Sequence, residues 1–294
     1  MRCPSSPRFA IGGRAMSVHD FVRPYLTIHP VGIRNAVRLY SGFGSSLLMK
    51  VLVPSRSTSW GLGTLIPGKS DVTVSFGGVR ANIRPGSNDL DLLSPTHEPL
   101  TSAWFQVKEG DVVVDAGAHI GRYALMAAKH ASQVIAIEPD PSNFSLLEAN
   151  VKLNGFSNVQ TFPVALSNRQ GPQLLYLGDR PSTGTSSLQP GWGRPPSSGT
   201  QVIRQVESDT LDRIVDSLGL KVIDWLKIDV EGHKVFVLEG AQSTLTKVRH
   251  VILEVARGNE VACRRLLAPA GLRLVSVEAG LSTNNWLLSS GFPV

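Results

Sequence analysis

Two hydrophobic periods divide this chain. From Asp71 the runs VTVSF and VRANIRP alternate apolar and polar residues with period two on either side of Gly77-Gly78, which predicts a β-hairpin. Ser87 to Leu93 then reads as a short capped helix and Leu100 to Val107 as a second one. From Asp111 onward the pattern changes to solid apolar runs separated by stretches of helical spacing. Strands are predicted at Val112–Val114, in the run closing on Glu138, and at Val159–Phe162, Val202–Val206, Val222–Asp229, Val251–Val255, Leu272–Val277 and Asn285–Leu288. Helices are predicted up to Asn154-Gly155, from Asp209 as a cap through Leu218, over Val235–Leu245 and over Glu260–Leu267. A small hairpin is expected from Ala165–Ser167 and Leu174–Leu177 about a turn at Arg169–Gly171. This alternation predicts an α/β fold, a mostly parallel sheet with helices on both faces, whose terminal strands form an antiparallel pair.

Residues 1–69 lack such order. They are rich in Arg, Ser, Gly and Pro, with one helix expected over Ile33–Val53, interrupted by Gly42 and Gly44. The expected organisation is an N-terminal appendage (1–69), partly helical or disordered, and one domain over 70–294 that begins with the hairpin and helical lead-in of 70–110. Within it, 178–200 (GDRPSTGTSSLQPGWGRPPSSGT) has almost no periodicity and is expected to be a functional lid or a mobile insertion.

Composition narrows this little. The 294 residues, 42% hydrophobic and 18% charged, suit one large α/β domain with an appendage or two modest domains. The net charge of +6 would fit a nucleic acid or a membrane surface, but no run of five basic residues appears, and a basic cluster with interleaved aromatics is missing. Cys3 and Cys263 give neither zinc spacing nor a disulfide framework, so a reducing, cytoplasmic setting is expected. The N-terminus lacks the apolar core of a secretory signal, and Met16 is an alternative start. Leu47–Val53 contains Lys50 and falls far short of the ~20 apolar residues of a membrane span.

The chemistry concentrates at predicted strand ends. The first core strand ends in Asp115-Ala-Gly117-Ala-His119-Ile-Gly121, and the second ends at Glu138. Parallel strands gather ligands at their carboxyl ends. The turn lacks the three-glycine GxGxxG spacing that admits a pyrophosphate, so a dinucleotide is excluded. An acid placed about 20 residues after the turn suits ribose hydroxyls. Asp115 suits a positive group, and together these point to S-adenosylmethionine, whose sulfonium is cationic. The two glycines also suit plain strand–helix packing.

VVVDAGAHIGRYALMAA, IAIEPDPSNFSLLEANVKLNG, FPVALSN, TLDRI and WLKIDVEGHKVFVLEGA together resemble the FkbM-type family of S-adenosylmethionine-dependent methyltransferases. The resemblance covers about residue 80 to residue 255, with RPGSNDLD (84–91) and TGTSSL (183–188) as further matching segments. It implies a Rossmann-like seven-stranded methyltransferase sheet with an antiparallel last strand. It implies that Asp115, Gly117 and Gly121 face the methionine part of the cofactor with His119 inside the same turn. Glu138 would face the ribose, Asp140 and Asn143 the nearby polar edge, and Ala165 the adenine. Asp229, with Glu231, would stand at the mouth of the methyl-transfer site. The chain departs from the family at Lys234, where a second acid is usual, which puts in doubt any mechanism leaning on that acid.

An in-line transfer asks the protein to align an acceptor and to remove its proton if it is a hydroxyl. Asp229 is the leading base, against an N-cap role, with Glu231, His119 and His233 as further candidates. A divalent metal held by these residues is permitted by their types and not required by their spacing. The amine-directed Asn/Asp-Pro-Pro-Tyr sequence is absent after strand four, which favours oxygen. The expected acceptor is a hydroxyl of a small molecule, sugar or glycolipid precursor. An RNA methyltransferase and a non-catalytic cofactor-binding module stand as the alternatives, and neither the acceptor nor the oligomeric state is legible.

Overall fold

The computed structural model describes residues 8–11, 14–17, 23–52, 62–178, 181–192, 201–280 and 282–291, which group into two units. The first comprises residues 1–97 with 180–182 and the second comprises 98–179 with 183–294.

In the first unit, β1 (Arg8–Ile11) pairs antiparallel with β2 (Arg14–Ser17). A three-stranded antiparallel sheet joins β3 (His29–Pro30), β4 (Val72–Phe76) and β5 (Val79–Ile83). Gly77 and Gly78 carry positive φ in the turn between β4 and β5, the conformation a tight hairpin needs. Between β3 and β4 runs α1 (Ile33–Leu52), a continuous helix through Gly42 and Gly44. Gly42 is there for close packing, since a Cβ would come within 3.0 Å of the Ile66 backbone. The Arg38 guanidinium ties α1 to the carbonyls of Pro67, Ser70 and Asp71. The RPGSNDLD segment closes on itself: Arg84 Nε and Nη2 donate to the Asp89 carboxylate at 2.8 Å each, both side chains buried, just ahead of α2 (Asp89–Leu93). The hairpin, expected as the lead-in to the large domain, thus packs within the first unit.

The second unit opens with α3 (Pro99–Trp104) and builds a seven-stranded sheet. Its elements in chain order are β6 (Val112–Ala116), α4 (Arg122–Ala127), β7 (Gln133–Ile137), α5 (Pro141–Asn154) and β8 (Val159–Phe162). After an insertion come α6 (Leu211–Ser217), β12 (Ile223–Ile228), α7 (Lys234–Glu239), α8 (Gln242–Leu245), β13 (Val248–Ala256) and α9 (Glu260–Leu267). The chain ends in β14 (Arg273–Ala279) and β15 (Thr283–Ser289). The order is β14-β15-β13-β12-β6-β7-β8. Ladders among β13, β12, β6, β7 and β8 are parallel, and β15 runs antiparallel between β13 and β14. The central strand β12 is buried along its whole length, and Leu226 and Ile228 on it share one core cluster with Val114 of β6, Ile135 of β7 and Leu253 of β13. The mostly parallel α/β sheet with a terminal antiparallel pair is the one the pattern predicts, and its seven strands are those the family resemblance implies.

Three local expectations are corrected. The insertion is a second sheet, β9 (Ala165–Leu166), β10 (Gly171–Tyr176) and β11 (Ile203–Asp209), in the order β10-β11-β9. No hairpin forms between β9 and β10, because β11 takes the place between them, antiparallel to one and parallel to the other. Thr210 rather than Asp209 caps α6, its hydroxyl accepting from the Arg213 amide at 3.2 Å, while Asp209 pairs with the Arg213 side chain. The predicted helix over Val235–Leu245 breaks into α7 and α8, because a Cβ at Gly240 would lie 2.2 Å from the Ser167 carbonyl oxygen and the chain must pass close there.

Candidate functional site

The carboxyl ends of β6, β7 and β12 lie side by side, which brings three chemical groups together. The turn after β6 runs through left-handed backbone. Gly117, His119 and Gly121 have φ of 84°, 52° and 103°, and His119 is one of two non-glycine residues with positive φ among the described residues. That conformation is held from β7. Glu138, at the strand's end, accepts the His119 amide on Oε2 at 2.8 Å and the Asp140 amide on Oε1 at 3.0 Å. Burial, with the Asp140 charge adding to it, pushes the Glu138 carboxyl up to about 7 against the pull of those amides. Asp140 caps α5 through the Ser142 and Asn143 amides. Asn143 donates to the Thr183 carbonyl at 3.1 Å, and the His119 ring meets the Thr183 hydroxyl at 3.1 Å. Thr183–Trp192 is therefore folded against this edge, with Ser186 donating to Asp140 Oδ2 at 2.7 Å.

Asp115 differs from all of these. It is fully buried and neither carboxylate oxygen accepts a hydrogen bond. Burial pushes its carboxyl up to about 6, with the Lys227 charge pulling the other way and the Asp229 charge adding to the rise. A buried carboxylate short of donors is costly unless a cation reaches it, so this orphan fits the positive end of a ligand. Gly117 beside it has no room for a side chain: a Cβ would fall 1.9 Å from the Asp229 carbonyl oxygen. The glycine therefore brings the turn against the end of β12 and leaves its backbone bare.

On β12, Lys227 and Asp229 are two apart and share a face, and Lys227 is the register partner of Asp115. Lys227 Nζ is 2.8 Å from Asp229 Oδ2 and 4.7 Å from the centre of the Tyr123 ring. Burial opposes the Lys227 charge, and Asp229, Asp115 and Glu98 together outweigh it and raise the ammonium above its ordinary range. Tyr123 donates to Glu98 at 3.0 Å. Beyond Asp229, the turn Val230-Glu231-Gly232 carries a second set. Glu231 accepts from Trp192 Nε1 at 2.6 Å. Burial, Glu254 and Asp229 push Glu231 up to about 7, with Lys234 and the indole opposing. Lys234 is completely buried, pairs with Glu254 and stands 5.5 Å from the Trp192 ring centre. Ligand atoms of Asp229, Glu231 and Glu254 lie within 4.8 Å of one another.

His233 is absent from that carboxylate group. Its Nε2 meets Ser167 Oγ at 3.1 Å, its ring stacks on Phe236 at 4.5 Å, and burial lowers its pKa to about 4. Gly121 caps α4, and a Cβ there would press on Leu147 at 2.9 Å. Ala165 packs with Leu175 and Val206 in the core of the small sheet. Lys227, Tyr123, Glu98, Glu254, Thr183 and Trp192 were not singled out in the sequence. Lys227 carried a signal, its even spacing from Asp229 in an apolar strand, and so did Glu254, an acid inside VILEVA. Trp192, in a loop without periodicity, carried none.

Known proteins resemble this chain over the same region. Residues 115–272, more than half of the chain, match the methyltransferase FkbM domain. The chain is 30% identical over 187 residues to "Methyltransferase 1" of Beauveria bassiana, covering 56% of this chain and 73% of that one. It is 29% identical over 178 residues to "Hexuronic acid methyltransferase AglP" of Haloferax volcanii, covering 60% and 66% respectively. It is 29% identical over 161 residues to "2-O-methyltransferase NoeI" of Sinorhizobium fredii, covering 50% and 64%. The match thus spans about two thirds of the length of the last two relatives.

Proposed function

The chain belongs to the FkbM methyltransferase family, and from that premise we propose that it methylates a hydroxyl group on a sugar, glycolipid precursor or other small molecule, with S-adenosylmethionine as donor. S-adenosylmethionine supplies an electrophilic methyl group on a positively charged sulfur. The observation that carries the reading is the Asp115 carboxylate, buried without a hydrogen-bond donor beside the bare backbone of Gly117. Asp115 would face the cationic end of the donor, with Gly117, His119 and Gly121 shaping the backbone that receives it. Glu138 would face the ribose while holding His119 in its left-handed conformation. Asp140 and Asn143 would keep Thr183–Trp192 closed along the polar edge.

Asp229 is the residue we assign to the acceptor's proton. It stands at the carboxyl end of the central strand, less buried than Lys227, which anchors one of its oxygens. Glu231, pushed to about 7 by burial and by its acidic neighbours, is placed to share that proton. His233 is assigned to holding α7 through Ser167, a structural rather than a catalytic part. Oxygen as the acceptor atom is supported by the two relatives named for a hexuronic acid and for a 2-O position.

The test supplies labelled S-adenosylmethionine with a panel of hexuronates, neutral hexosides and their lipid-linked forms. Transfer to a hydroxyl is expected, and Asp229→Asn should lower kcat by about 100-fold or more while changing donor affinity by less than about twofold. Transfer only to nitrogen, or full turnover by Asp229→Asn, would refute the assignment.

A further inference from the structure

The basic charge of this chain is not spread evenly. Residues 1–97 hold eleven Lys and Arg against four Asp and Glu, a formal +7, whereas the remaining 197 residues hold 18 against 19. The fifty residues from Phe21 to Ser70 contain six basic residues and no acid at all. Within that stretch lies α1, and one of its faces is apolar and open. Ile33 is 85% exposed, Val37 62% and Tyr40 57%, at the i, i+4, i+7 spacing that makes one stripe. Leu26 and Val31, which precede the helix, are exposed too, and so is Arg34, next to Ile33 in the chain. The opposite face is committed to the unit, with Leu39 fully buried.

We propose that this face of the first unit docks on a membrane surface bearing anionic headgroups. An interfacial helix sinks its apolar stripe to the boundary between headgroups and chains while nearby Lys and Arg meet the anionic surface, and the two terms reinforce each other. The helix lies on the surface and does not cross it: no helix among the described residues is long and apolar enough to span a membrane. A second copy of the chain is the poorer occupant. A two-fold contact through this patch sets the acid-free stretch against itself, so its basic residues repel their own copies. Nucleic acid is poorer too, since Ile33 and Val37 offer a phosphate backbone nothing and Tyr40 is the one exposed aromatic of the stripe.

The proposal is tested with the full chain by sedimentation with vesicles of phosphatidylcholine alone and vesicles in which phosphatidylglycerol replaces a third of it. Binding should be at least about tenfold tighter to the anionic vesicles and should weaken as salt rises. Ile33→Asn with Val37→Asn, two exposed positions, should cut that binding about tenfold or more with the melting midpoint of the protein unchanged. Equal binding to both vesicle types, or undiminished binding by the double variant, overturns the proposal. So does a dimer in solution that the double variant dissociates, or an RNA oligonucleotide that displaces the wild-type chain completely from anionic vesicles.

Discussion

Gly117 and Asp229 meet through their backbones at the centre of the sheet: the space for a Gly117 Cβ is filled by the Asp229 carbonyl oxygen, 1.9 Å from where the carbon would be. The Asp229 amide also donates to the Ala116 carbonyl at 2.9 Å. The turn proposed to face the donor and the strand end proposed to face the acceptor are thus joined through main chain. A few tenths of an ångström at one is felt at the other.

Gly117→Ala should therefore be damaging for two reasons. Its φ of 84° is strained for any side chain, and the methyl group must displace backbone rather than a flexible side chain. A loss on the order of 3 kcal/mol or more in urea unfolding is expected, with loss of donor binding in whatever fraction stays folded. Wild-type stability in this variant would show that the contact yields easily.

The same contact explains what could be read in advance. Alternating apolar strands and helices made the mostly parallel sheet legible, its seven strands came from the family resemblance, and the acids and glycines at Asp115, Gly117, Gly121, Glu138 and Asp229 were legible because strand ends are where parallel sheets gather ligands. Spacing alone left open whether Gly117 served a ligand or close packing, and it serves packing against Asp229 while leaving the cradle bare. Partners contributed from afar in sequence were not legible: Tyr123–Glu98, Lys234–Glu254 and Trp192–Glu231 are set by tertiary closure. The small sheet was misread for the same reason, since its middle strand β11 arrives after a long aperiodic loop.

Donor binding should depend on pH with a sign that Asp115 fixes. Its carboxyl is raised from 3.8 to about 6 and that of Glu138 from 4.5 to about 7, so the unliganded native state holds protons that the unfolded chain has released. Stability of the unliganded protein should therefore fall as pH rises through the window from about 4 to about 7. A cationic donor favours the ionised Asp115, so its binding releases a proton and its affinity should rise with pH by up to about tenfold per unit below pH ~6, levelling off above. Calorimetric titration with S-adenosylmethionine from pH 5 to 8 checks this. A flat profile, or an unchanged one in Asp115→Asn, would remove Asp115 from the donor site.

Trp192 should govern the acceptor more than the donor. Its indole donates to Glu231 and packs where a Gly232 Cβ would lie 2.7 Å from the ring, so it anchors residues 183–192 on the turn after β12. Trp192→Phe keeps the ring and loses the hydrogen bond to an acidic partner. The acceptor KM should rise about tenfold with donor affinity unchanged. Removal of residues 181–198 should exaggerate the same split. A donor affinity that falls in step with the acceptor's would mean that the loop serves the whole fold.

Lys234 offers the most discriminating substitution. Asp229, Glu231 and Glu254 converge to within 4.8 Å, and the buried Lys234 ammonium, paired with Glu254, is the cation that offsets them. It pulls down both Glu231 and Glu254, which burial and mutual repulsion otherwise raise. Lys234→Gln removes that pull, so both carboxyls should rise further and resist ionisation. Because the stability lost to a raised acid accrues up to its folded pKa, the variant parts from the wild type mainly above the Glu231 value of about 7, so the penalty should be small at pH 5.5 and grow by about 1.4 kcal/mol per unit of further rise by pH 8.5. With no fixed cation left among three carboxylates, millimolar Mn²⁺ should raise the melting temperature of Lys234→Gln and leave the wild type nearly unmoved. Urea unfolding at the two pH values, with and without Mn²⁺, decides the matter: an equal penalty at both would make Lys234 a packing residue, and an equal Mn²⁺ response in both proteins would mean that its charge never occupied the cation's place.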